Sequence, residues 1–387
     1  MSNYIELKDI NKSYGPQKVI KNLNLEIVRG EFLVLLGPSG CGKTTILNIL
    51  AGLISFDSGL ILRNNIPINS LQPKDRNIGM VFQDHSLYPH MTVSKNLKFP
   101  LLMRKLNKNE IDRRLQEIIE IYKLHPMLDK FPYQLSGGEK QRVAICKALI
   151  QKPELFLFDE PLSNIDAKLR VSMRSEIKKI HKATKATFIY VTHDQIEALS
   201  LSDRIVVIKD GEILQSGDPK EIYNSPKSLF VAEFIGTPSI NLIHFKVLQE
   251  SNHYALVNDD FNIILKDNCY QFLNRYIDKE IIVGIRPEDI RIAQSDESAQ
   301  LNEFNKNSFK VSVDIIENIG ANLILHVFLK STNLRIKTSK DFLCRSNDFF
   351  VNFAPQFLIF FEASMGMNIK SLPVENISQN TNTFGSE

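Results

Sequence analysis

The chain has 387 residues, 43% of them hydrophobic, which is enough to bury a full core in two or three domains. Its 47 lysines and arginines against 44 acids leave a formal charge of +3, far from the concentrated positive field of a nucleic-acid binder, so no DNA or RNA partner is indicated. Four scattered cysteines without CxxC spacing, and eight histidines of which only His85 and His90 lie close together, argue against a disulfide framework and a zinc site and fit a reducing cytosol.

The opening MSNYIELKDI has no basic start followed by an apolar stretch, so it does not read as a secretory leader. No apolar run approaches the ~18 residues of a membrane-crossing helix, so at a membrane another chain must hold this one. Residues 31–36, EFLVLL, predict a buried strand that ends at a glycine and leads into a helical pattern through Leu50. Between about 85 and 150 the pattern becomes helical. Asn107 and Glu110 form a capping-box pair, and Ile111, Leu115, Ile118, Ile119 and Tyr122 recur as one apolar stripe.

LFLF at 155–158 and TFIYV at 187–191 repeat the buried-strand signature, each followed by polar residues and a helix. Alternation of this kind implies an α/β fold with a mostly parallel sheet covered on both faces, its ligand beyond the carboxyl ends of the strands. After about 236 the strands shorten and alternate, as in FKVLQ, YALVND, FNIILK, IIVGI, KVSVDII and LILHVFL, which predicts a small β-barrel or sandwich. The expected organisation is an α/β domain over 1–235 with a helical subdomain at about 85–150, an all-β domain over 236–365, and a polar flexible tail over 366–387.

GPSGCGKTT, Gly37 to Thr45, matches the phosphate loop in the required strand–loop–helix setting. Across Gly37, Pro38, Ser39, Gly40, Cys41 and Gly42 the glycines would let backbone N–H groups converge on phosphate oxygens, and Lys43 would reach the β and γ phosphates of ATP. Thr44 would give its hydroxyl to Mg2+, and Thr45 would end the nucleotide-binding loop. Cys41 sits near a helix N-terminus, a setting that lowers a thiol's pKa, although it is equally a tolerated spacer. At the end of the LFLF strand, Asp159 would complete the magnesium shell and Glu160 would polarise the attacking water. Two acids there can also merely cap the next helix.

LSGGEKQRVAICKAL, residues 135–149, resembles the signature of the ABC ATPases. The resemblance implies a P-loop core of ABC type with an inserted helical subdomain, working as a homodimer or pseudo-dimer in which Ser136, Gly137 and Gly138 meet the γ phosphate held by the other subunit. It also implies an adenine-stacking role for Tyr14 and a metal-linking, catalytic role for Gln83. Ser163 to Asp166, SNID, would cross the dimer interface, with Asp166 near nucleotide, and His193 in VTHD would be the γ-phosphate switch. Taken one by one, Tyr14 could be core, Gln83 a surface amide and His193 a satisfied strand-end histidine. Glu139 and Cys146–Lys147 depart from the family's usual Gln and Ala-Arg.

LYPHMTV after Gln83, THDQIEALSLSDRIVVIKDGEI, FIGTPSINLI and GIRPEDI are similar to the ATPase subunits of carbohydrate importers of the maltose and glycerol-3-phosphate type. This implies an OB-like C-terminal regulatory domain (TOBE-type) and a peripheral place on the cytoplasmic face of the inner membrane. Two transmembrane permease subunits, and through them an extracytoplasmic solute-binding protein, are the implied partners. Tyr88, Pro89 and His90 would lie in the groove that takes a short permease helix. Phe361–Glu362 departs from the usual Phe-Asp. An importer of polyamines, iron or another small solute is the alternative. Soluble ABC proteins of repair or translation are disfavoured by the absence of long coiled coils and tandem ATPase domains.

Overall fold

The computed structural model describes residues 3–250, 253–266, 268–293, 307–342 and 347–371. Contacts divide the chain into two compact units, Met1–Ile222 and Tyr223–Glu387.

In the first unit, β1 (Asn3–Tyr14) and β2 (Gln17–Val28) form an antiparallel hairpin. With β4 (Ser58–Arg63) and β5 (Ile66–Pro67) they make a four-stranded sheet in the order β2-β1-β4-β5. The second sheet has six strands: β3 (Phe32–Leu36), β6 (Ile78–Val81), β7 (Leu155–Asp159), β8 (Thr187–Thr192), β9 (Arg204–Lys209) and β10 (Glu212–Gly217). Their order is β10-β9-β3-β8-β7-β6, parallel except for β10.

Strands β3, β7 and β8 are buried along their whole length. That is why they read as unbroken apolar runs instead of alternating ones. The mostly parallel sheet is therefore as the sequence predicts. The antiparallel sheet was not foreseen: the buried positions of β1, Tyr4, Ile5, Leu7 and Ile10, are unevenly spaced, and its register with β2 is broken by bulges.

Helix α1 (Lys43–Ala51) follows β3, and the helical segment contains α2 (Val93–Met103), α3 (Lys108–Tyr122) and α4 (Gly137–Leu149). The Asn107 side chain accepts from Glu110 N–H at 2.9 Å, but the Glu110 carboxylate turns to Arg113 and Arg114 instead of returning to Asn107, so only half the expected capping box forms. The stripe Ile111, Leu115, Ile118 and Ile119 is buried as expected. Helices α5 (Ala167–Thr184), α6 (Gln195–Leu201) and the short α7 (Pro219–Asn224) complete the connections of this region.

The second unit begins with α8 (Leu229–Phe234) and is otherwise β-rich, with two antiparallel five-stranded sheets. One holds β11 (Asn241–Glu250), β12 (His253–Val257), β13 (Asn262–Leu265), β14 (Glu280–Ile285) and β20 (Ile359–Glu362). The other holds β15 (Ile290–Ala293), β16 (Ser308–Asn318), β17 (Asn322–Leu329), β18 (Thr332–Ser339) and β19 (Asp348–Phe353). Phe245, Phe261, Leu325, Ile336, Phe353 and Phe360 belong to one apolar core fed by both sheets, which is the layered arrangement of an OB-like domain.

Two boundaries differ from those read off the sequence. Residues 223–235, counted with the ATPase domain, pack in the second unit. Arg286, 2% exposed, donates to the carbonyls of Tyr223 (2.8 Å), Ala232 (2.9 Å) and Ile235 and stacks on the Tyr223 ring. Residues 366–371, assigned to a tail, are also tied in, since Asn368 donates to Pro226 O and Ile369 joins the core. The rest of the expected tail, 372–387, lies outside the described residues.

Because a guanidinium bonded to carbonyls leaves them buried and unpaired when removed, Arg286→Ala is expected to destabilise the protein by about 2–4 kcal/mol. A lower urea midpoint, by circular dichroism, would be the readout.

Candidate nucleotide site

Three neighbouring parallel strands bring the site together. Leu36 pairs with Thr192 and Asp159 with Val191. The phosphate loop, the His193 loop and the Asp159–Glu160 pair therefore leave the same edge of the sheet side by side. Gly37 has to be glycine for a steric reason: a Cβ there would stand 2.2 Å from Ile208 O and 2.8 Å from Cys41 Sγ. Gly42 is the N-cap of α1 and supplies no side-chain cap, so the first N–H groups of that helix are not taken up by a cap.

Lys43 is 4% exposed, and its ammonium donates to the loop's own carbonyls, Gly37 O at 2.9 Å and Pro38 O at 2.7 Å. Thr44 Oγ1 donates to Asp159 Oδ1 at 2.8 Å. Burial pushes the Asp159 carboxyl up, and the Thr44 hydroxyl offsets this only in part. Glu160 adopts a left-handed φ of 43°, donates its N–H to Val191 O at 3.0 Å and places Oε2 3.0 Å from His193 Nδ1. Asp159 and Glu160 therefore do not cap a helix, and His193, exposed just past the end of β8, has Nδ1 on the Glu160 carboxylate.

Cys41 contradicts the expectation of an acidic thiol. It is 6% exposed, and burial pushes its thiol up, outweighing Lys43 beside it. Tyr14 ends β1 with its ring half exposed and Lys12 Nζ 5.0 Å from the centroid, which rules out the core reading and leaves a face for stacking. Ser39 and Gly40 are exposed in the loop, and Thr45 lies within α1.

The signature residues stand apart from these groups within one copy. Ser136 is the N-cap of α4 in a full capping box: Ser136 N and Oγ both donate to Glu139 Oε2 at 2.8 Å, and Glu139 N donates back to Ser136 Oγ. Those donors, the backbone N–H first, hold the Glu139 carboxyl below its ordinary range. A Cβ on Gly138 would stand 2.0 Å from Leu169 Cδ2, so α4 lies directly on the first turn of α5. Asp166 Oδ1 caps α5, accepting from Leu169 N at 2.9 Å.

Gln83 is exposed at the head of a loop that several contacts hold. Asn164 donates to Gln83 O (3.2 Å), the Gln141 amide meets His85 Nδ1 (2.6 Å), and Lys147 donates to Ser86 O (2.8 Å) while lying 4.0 Å over the Tyr88 ring. These links were invisible to motif reading. Lys147 stands where the family usually has arginine and so keeps a cation on this loop; burial brings its ammonium down to about 8. Beside it lies a groove of about 480 Å³ lined by Phe82, Tyr88, Phe99, Met103, Lys147 and Gln151. Pro89 and His90, expected in that groove, are not among its lining.

Two outcomes follow. Maleimide at neutral pH is expected to modify exposed Cys269 before buried Cys41 and Cys146, in the order read by mass spectrometry. Glu139→Gln keeps a capping acceptor and removes a negative charge from the helix's first turn, so apparent ATP affinity in steady-state turnover is expected to rise about two- to five-fold, less at high salt.

The ABC transporter family pattern matches residues 20–163, and that of the MalK OB fold domain matches residues 236–290. The trehalose/maltose import ATP-binding protein MalK of Thermococcus litoralis is 42% identical over 84% of this chain and 87% of its own length. The sn-glycerol-3-phosphate import ATP-binding protein UgpC of Brucella abortus is 44% identical over 84% and 87%. The dimeric cassette MJ0796, solved with ADP and Pi, is 34% identical and covers 56% of this chain and 98% of its own, with a TM-score of 0.51. With a phosphate loop beside paired acids and a histidine, a signature helix and an OB-like second unit, and with relatives matched over most of its length, the chain belongs to the ATP-hydrolysing, ATP-binding subunits of ABC importers of the MalK and UgpC type.

Proposed function

We propose that this ATPase energises uptake of a carbohydrate or a glycerol phosphate through a membrane permease, as a dimer of two copies peripheral to the cytoplasmic face of the inner membrane. No helix among the described residues is long and apolar enough to cross a membrane. The groove beside Tyr88, apolar with a cationic rim, suits the apolar face of a short permease helix. A homodimer on two permease subunits, fed by an extracytoplasmic solute-binding protein, is the assembly this reading requires.

The observation that carries the chemistry is the contact of Glu160 Oε2 with His193 Nδ1 beside the Thr44–Asp159 pair. ATP phosphates would take the α1 N-terminus and the Lys43 ammonium in place of the carbonyls that hold it. Thr44 and Asp159 present a hydroxyl and a carboxylate 2.8 Å apart, the donor set Mg2+ prefers, with Gln83 as a further ligand. Such an ion would offset charge on the phosphates.

Glu160 takes the proton of the attacking water. With its carboxylate ionised, His193 Nδ1 must be the donor in their contact, which leaves the other ring nitrogen to meet the γ phosphate. Tyr14 supplies a face for adenine, and Ser136, Gly137 and Gly138 close the second copy's nucleotide site.

Glu160→Gln is expected to lower turnover by about 10²- to 10⁴-fold while keeping ATP binding, and to accumulate as an ATP-bound dimer on size-exclusion chromatography. A variant turning over at the wild-type rate would remove Glu160 from the mechanism. Lys43→Ala is expected to abolish turnover. In liposomes with the permease, a sugar- or glycerol-phosphate-binding protein should stimulate hydrolysis, and stimulation by a polyamine-binding protein alone would overturn the solute class.

A further inference from the structure

The segment 163–166 is bonded on one side to Glu160 and on the other to the base of the His193 loop. On one side Ser163 donates its N–H (3.2 Å) and its hydroxyl (2.9 Å) to Glu160 O. On the other, Arg170 in the first turns of α5 donates Nη2 to Ile165 O at 3.1 Å and lies with Nη1 3.4 Å from Asp194 Oδ2, next to His193. No family motif read from the sequence includes Arg170.

The far end of this bridge is rigid. Asp194 Oδ1 accepts from Ile196 N and Glu197 N as the cap of α6, and Asp194 N donates to Thr192 Oγ1 at 2.9 Å. Thr192 and Tyr190 in turn donate to Glu197 Oε2, at 2.8 and 2.9 Å, and Glu197 is 3% exposed. The base of the His193 loop is thus held by a fully bonded buried network, and Arg170 ties that base to the segment 163–166.

The near end is placed to move. Leu169, the neighbour of Arg170, packs against Gly138 of the signature helix, and Asp166 caps the same turn of α5. Arg170 Nε is buried and has no hydrogen-bond partner among the described residues. Nε of the structural Arg286 is likewise unpartnered, so what sets Arg170 beside the chemistry is the division of its guanidinium between Ile165 O and Asp194 Oδ2.

We propose that Arg170 is a positioning residue for hydrolysis, carrying a displacement of 163–166 at the dimer interface to the loop that presents His193 to Glu160. This rests on the roles given above to Glu160, His193 and the dimer. Two acceptors lying in different directions need the planar fork of arginine, and lysine serves only one of them at a time.

The test uses the purified full chain with Arg170→Gln, which retains the packed stem, Arg170→Lys, and Glu160→Gln as the reference for chemistry. The expected result for Arg170→Gln is turnover about 10- to 100-fold lower, an ADP dissociation constant and thermal midpoint close to wild type, and a flatter dependence of rate on ATP concentration. Arg170→Lys should recover part of the rate. The proposal is overturned if Arg170→Gln turns over within about two-fold of wild type while Glu160→Gln is inactive, or if its turnover, nucleotide binding and thermal midpoint fall together. An active Glu160→Gln would instead strike the underlying reading.

Discussion

The register of three adjacent parallel strands is the constraint on which the rest of the site depends. With Leu36 opposite Thr192 and Val191 opposite Asp159, three chain segments distant in sequence end at one level of one sheet edge. Strands lie about 4.8 Å apart, so side chains leaving them at that level are within hydrogen-bonding reach without any further device. The ladder runs one bond further, from Glu160 N to Val191 O, and in doing so puts Glu160 in a left-handed conformation. That conformation costs about 1–2 kcal/mol for a residue with a Cβ. It turns the carboxylate off the strand line and into contact with His193.

Burial and local charge compete at Asp159, Cys41 and Glu139, and the outcomes differ. At Asp159 and Cys41 burial wins and pushes both groups up, despite a hydroxyl on one and an ammonium beside the other. At Glu139, nearer solvent, the Ser136 N–H and hydroxyl win and hold the carboxyl down. The same residue type or the same helix-end position therefore carries no fixed reactivity.

The elements that touch the chemistry are cross-linked by polar bonds to groups that do not. The loop after Gln83 is tied to the segment 163–166 through Asn164 and to the signature helix through Gln141 and Lys147. The first turn of α5 meets the signature helix at Gly138, where only a glycine allows the approach. In such an arrangement a shift of one loop must be shared by its neighbours, because each shares a bonded partner with the next.

Sequence alone was sufficient for everything governed by short-range chemistry. Unbroken apolar runs followed by Gly37, by Asp159 and by His193 fixed three buried strands and their functional ends, since full burial erases alternation and only glycine tolerates the approach at Gly37. The signature segment was legible through its resemblance to the ABC ATPases, while its capping box appears only in the structure. Tertiary structure decided what depends on partners distant in the chain: the order β3-β8-β7, the irregular antiparallel sheet, and the packing of 223–235 against Arg286. It also reversed the expected acidity of Cys41 and drew Asp166 into a cap. Those outcomes turn on burial and on which donor lies opposite, and both are set by strand order and register, quantities that no local pattern of residues encodes.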